Sequence, residues 1–127
     1  MTGGDGVTGG DGVRQRSLTN VILRKKRDAD GSRRLEATRR PDGGIVIEGQ
    51  DLGPGVEQIY GPGLSEYEWV WVVGPDAVAA VVAALGGLEG DDPLPLLVAW
   101  TAAHGVDPGS HLREAGVPIE FWNRVGD

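Results

Sequence analysis

The chain has 127 residues, no cysteine, four tryptophans, an apolar share of 39% and a formal net charge of −7. That length fits one domain around one core, and the missing cysteines exclude disulfides and thiolate metal sites. No secretory leader follows Met1, and the longest apolar stretches, 77–85 and 94–103, are about half the ~20 residues of a membrane span, so the expected setting is cytoplasmic with no membrane partner.

Residues 2–7 and 8–13 repeat one hexapeptide, TGGDGV. Glycine at this density loses much entropy on ordering and brings no side chains to bury, so 1–17 is expected to be a disordered tail and 18–127 a single domain. The window Gly4, Gly6, Gly9 matches G-x-G-x-x-G. It is discounted, because that motif works only between a strand and a helix N-terminus.

A first strand is predicted over 18–27, a second over 33–40 and a third over 45–50, with turns at Asp28-Ala29-Asp30-Gly31 and Pro41-Asp42-Gly43-Gly44. Residues 51–63, rich in glycine and proline, read as a long irregular loop. A fourth strand over 65–73 is the most informative, since Tyr67, Trp69, Trp71 and Val73 alternate with Glu66, Glu68, Val70 and Val72. An aromatic row of this size requires cover. Three helices follow, each begun by proline: 75–85, stopped by Gly86-Gly87; 93–104, capped by Asp91 or Asp92; and a short one from Asp107-Pro108 to Gly116. The remaining segment, Ile119-Glu-Phe-Trp-Asn-Arg124, is too aromatic to stay in water and is expected to pack on the domain in extended form. The fold class is therefore α+β: a four-stranded, mainly antiparallel sheet followed by two to three helices on one face.

No stretch carries a strong catalytic, metal or cofactor signature. His104 and His111 would have to converge from two helices to bind metal, and His104 reads more simply as a cation at a helix C-terminus. Ser65 lacks the second glycine of a nucleophile elbow. Glu66 and Glu68 share a face and form a candidate acid/base pair, but pairing with Arg34, Arg39 or Arg40 across the sheet is the simpler reading. Charge is divided along the chain: residues 1–41 carry +5 and residues 42–127 carry −12. Eight of the cations fall within 24–40, without aromatics for base stacking.

The strand EYEWVWVV, the helix pair after it and the closing VPIEFWNRVG resemble a set of small, uncharacterised actinobacterial proteins with a similar Trp-rich strand and terminal Phe-Trp-x-Arg. The resemblance covers 18–127 and implies a recurring fold, with no activity attached.

Small size, acidic bulk and the lack of a reaction signature point to a non-enzymatic protein-binding module, an immunity- or antitoxin-like inhibitor of a basic partner. It would act through Glu48, Glu66 and Glu68 or through the terminal patch around Trp122 and Arg124, with no cofactor and no metal. Overall acidity argues against nonspecific nucleic-acid binding, although a nucleic-acid contact through the basic hairpin 24–40 is one alternative. A small hydrolase built on Glu66 and Glu68 is another.

Overall fold

Alternation of apolar and polar residues is what an extended chain with one buried face requires, and the computed structural model, which describes residues 19–127, turns it into three consecutive strands. The expected tail 1–17 lies outside the described residues. β1 (Asn20–Asp28) and β2 (Gly31–Arg39) meet at a tight turn in which the Asp28 carboxylate accepts from the Asp30 N–H at 2.9 Å. Gly31 has φ 130°, and a Cβ there would overlap the Leu52 carbonyl, so only glycine fits. β3 (Ile45–Leu52) returns through the predicted turn, closed by the Arg40 N–H donating to the Gly44 carbonyl at 2.8 Å.

The segment expected to be an irregular loop instead carries α1 (Pro54–Tyr60). Pro54 sits where a helix tolerates proline, Val56 is buried, and the Gly55 N–H donates to the Asp30 carbonyl at 2.9 Å. These tertiary anchors override the weak helix propensity of a Gly- and Pro-rich run. β4 (Glu66–Val73) follows, then a single 3-10 turn (Pro75–Ala77) that opens into α2 (Val78–Ala84). α3 (Pro93–His104) is capped by the Asp92 carboxylate, which accepts from the Leu94 N–H at 3.0 Å. α4 (Gly109–Glu114) ends as predicted, with Gly116 at φ 88° and the Val117 N–H reaching back to the Leu112 carbonyl.

The terminal segment does more than pack on the domain: it is a fifth strand, β5 (Glu120–Gly126), antiparallel to β4. The α+β class stands, but the sheet has five strands, not four, in the order β1-β2-β3-β4-β5 with every pairing antiparallel. Period-two alternation is weak in EFWNRVG, because both faces of an exposed edge strand meet water.

Helices cover one sheet face. Leu35, Ala37, Ile45, Ile47, Trp71 and Val73 pack there against Val81, Leu94, Leu97, Leu112 and Val117 in one core. At about 2 kcal/mol for each fully buried large aliphatic, this layer outweighs the exposed ion pairs, each worth about 0–1 kcal/mol. Shielding of the aromatic row is graded: Trp71 is buried, whereas Trp69 and Tyr67 are half-buried and stack at 5.2 Å. Trp69 lies over Gly49, the residue directly opposite it on β3, where a Cβ would enter the indole.

One carboxylate joins the two layers. Asp107 Oδ2 accepts from Trp69 Nε1 at 2.6 Å and from Trp71 Nε1 at 3.0 Å, while Oδ1 accepts from the Gly109 N–H at 2.8 Å. Gly109 itself is flattened against the Trp71 ring, with no room for a Cβ. Asp107→Ala removes the acceptor from two partly buried indole N–H groups and should lower the unfolding free energy by roughly 2–4 kcal/mol in urea denaturation. Gly49→Ala, which forces Trp69 off its seat, is expected to cost about 1–3 kcal/mol and to shift indole emission.

Candidate functional site

Because the helices occupy one side, the opposite face of the sheet is open, and strand register decides which side chains share it. One row across the face reads Ile22, Glu36, Glu48, Val70, Trp122; the next reads Lys25, Arg34, Gln50, Glu68, Arg124. Glu66 begins the third row, opposite Leu52 and Gly126. All five residues singled out in the sequence, Glu48, Glu66, Glu68, Trp122 and Arg124, therefore lie together on this face. Between the first two rows is a shallow recess of about 210 Å³, lined by Arg34, Glu36, Glu48, Gln50, Glu68 and Trp122 among others.

Its polar groups differ in how well they are satisfied. Arg124 donates from Nε and Nη2 to Glu68 Oε1 at 3.2 and 3.0 Å, and its Nη2 lies 3.5 Å from Glu66 Oε2. Gln50 donates to Glu66 at 3.0 Å and to Glu68 at 3.3 Å. The expected partners of these glutamates, Arg34, Arg39 and Arg40, are engaged elsewhere. Arg34 bonds Glu36 at 3.1 Å, Arg39 donates to the Gly43 carbonyl at 2.8 Å, and Arg40 lies 4.0 Å from Asp42. The reason is β5, which sets Arg124 directly opposite Glu68 on a strand that the sequence reading left unpaired.

Glu68 is held below the usual carboxylate range, first by hydrogen bonding from Glu66 and then by the Arg124 guanidinium. Arg124 is raised in turn, chiefly by Glu68. A carboxyl so depressed is the reverse of what a general acid needs at neutral pH. Glu36 is also lowered, first by Asn20, which donates to it at 2.9 Å, and then by Arg34. Glu48 differs from both. It faces Glu36 directly across the strands and makes no hydrogen bond or ion pair with any described residue. Across the same recess, beyond Val70, Trp122 is 52% exposed, an unusual state for an indole.

The other candidates are accounted for structurally. His104 Nδ1 donates to the Trp100 carbonyl at 2.9 Å and His111 Nε2 to the Ala84 carbonyl at 2.9 Å, and both rings stack on Trp100. Among the described residues no group of three His, Cys, Asp or Glu could hold a metal ion. In the basic hairpin Lys26 pairs with Asp28 at 3.7 Å, but Arg24, Lys25, Arg27 and Arg33 make no ion pair with described residues. Sequence reasoning missed Gln50, which ties two glutamates together, and read Asp107 as the start of a helix, not as the acceptor of two indole N–H groups. Among the described residues no helix is long and apolar enough to cross a membrane. No family model, curated protein or solved structure matches the chain.

Depression of the Glu68 pKa in the fold, by Glu66 first and Arg124 second, means that these contacts stabilise the protein above the ordinary glutamate range near ~4.3 and that their contribution fades as pH falls through the lowered value. Arg124→Gln should therefore destabilise at neutral pH and lose its effect in acid. In carboxyl-resolved NMR titrations it should raise the Glu68 midpoint while leaving that of Glu36 in place.

Proposed function

We propose that this chain is a non-enzymatic protein-binding module whose open sheet face receives a basic partner. The observation that carries the reading is Glu48. A carboxylate opposed by Glu36 and without an ion pair among the described residues meets like-charge repulsion, and a Lys or Arg from outside would relieve it. Trp122, half exposed across the same recess, supplies the large rigid aromatic that anchors many interfaces, while Glu66, Glu68 and Arg124 form a braced polar rim. Inhibition of a basic enzyme or toxin is the role this arrangement suits best, because charge complementarity speeds association.

The chain immobilised on beads should retain a basic protein from native lysate at low salt, and Glu48→Arg with Trp122→Ala should abolish that retention while leaving the circular dichroism spectrum unchanged. Nothing retained above background, or equal retention by the variant, would refute the reading.

A second reading has its own support. Arg24, Lys25, Arg27 and Arg33 make no close ion pair among the described residues, although Asp51 lies opposite Arg33, and a recess of about 360 Å³ at this end of the β1–β2 hairpin is lined by Lys25, Lys26, Arg27, Arg33 and Arg34. A nucleic-acid contact at this hairpin predicts affinity falling steeply with salt; no shift of labelled RNA or DNA at ~50 mM salt removes it.

A further inference from the structure

We infer that β5 is a self-pairing edge, through which two copies of this chain join their sheets about a two-fold axis at Trp122. A sheet in the order β1-β2-β3-β4-β5 has two edges, and the chain treats them differently. β1 carries four consecutive cations, Arg24 to Arg27, and a register break between Ile22 and Arg24, both devices that discourage a further strand. β5 has neither. Its pairing with β4 is unbroken from Glu120 to Gly126, all residues from Glu120 to Arg124 are exposed, and nothing among the described residues pairs with its outer side.

Charge identifies the occupant. If Trp122 faces Trp122 of a second copy in antiparallel register, Glu120 of each copy faces Arg124 of the other, and this happens twice by symmetry. Even-numbered residues stay on the open face and Phe121 meets Asn123 on the helical side, so both helical layers remain on one side of a continuous ten-stranded sheet. Moving the register by one pairing step leaves Glu120 facing Gly126 or Trp122, and both ion pairs disappear. The groups needed are available: Glu120 has no ion pair among the described residues, and Arg124 Nη1 makes no hydrogen bond to them. Two β1 edges brought together would instead set cations against cations.

About five paired residues span roughly 17 Å, and the buried area is at the small end of specific interfaces, so affinity in the micromolar range is expected. Trp122 and Arg124 serve both this seam and the basic-partner reading, but Glu120 lies outside the acidic centre of that reading, so Glu120→Arg tests the dimer alone and Glu48→Arg the basic partner alone.

Sedimentation velocity of the full chain from ~5 µM to roughly 1 mM brackets that affinity. The wild type should pass from monomer to dimer. Glu120→Arg and Arg124→Glu, each alone, should stay monomeric, and an equimolar mixture of the two should dimerise, because every cross-strand pair is again opposite in sign. If Arg124→Glu does not fold beside Glu66 and Glu68, Trp122→Ala takes its place and should weaken dimerisation at least tenfold. A wild type that stays monomeric throughout, or Glu120→Arg that assembles as the wild type does, overturns the inference.

Discussion

The fold depends on a single carboxylate that holds the helical layer to the sheet. Asp107 takes both indole N–H groups of β4 on one oxygen and starts α4 with the other, so strand, aromatic row and helix are positioned by one side chain. Indole N–H groups turned into a partly buried layer need an acceptor, and a charged acceptor makes stronger bonds than a neutral one. Fixing the two indoles in turn fixes what lies beneath them, glycine at position 49 and glycine at position 109, where the backbone must come close. Orientation of the open face follows, since Tyr67, Trp69 and Trp71 pointing toward the helices leaves Glu66, Glu68 and Val70 pointing away.

Much of this was legible from residues alone. Alternation in EYEWVWVV gave the buried face correctly, the Pro-Asp-Gly-Gly turn gave the β2–β3 hairpin, and three proline starts gave the three later helices, because each signal is local and physical. What escaped was non-local. α1 forms where the Gly55 backbone meets Asp30, a contact far away in sequence. β5 joins the sheet although its own pattern is ambiguous, since β4 offers an unfilled edge and the helices return the chain to it. From β5 came the largest revision at the site: Arg124, expected to face a partner, also braces Glu66 and Glu68, and the arginines of the hairpin do not reach them.

The division of charge along the sequence survives in space. Among the described residues Arg39 with Asp92, at 4.0 Å, is the one ion pair between a cation of the 24–40 block and an acid beyond residue 42. Cations gather at the far end of the β1–β2 hairpin and carboxylates at the centre of the open face, although Asp51 lies opposite Arg33 and Arg124 sits between Glu66 and Glu68, so the separation is partial. Such an arrangement orients an approaching charged molecule before contact, at low ionic strength above all.

The return of β5 to β4 also bears on how the molecule comes together. Strands β1 to β4 can zip up through short-range connections, but the last pairing must wait for the whole segment 74–119 to fold back, and loop closure on that scale slows a folding reaction. Until it is complete, Glu66 and Glu68 lack the Arg124 guanidinium and keep Gln50 of β3 as their donor. The final strand thus acts as a latch that closes after the rest of the sheet is in place.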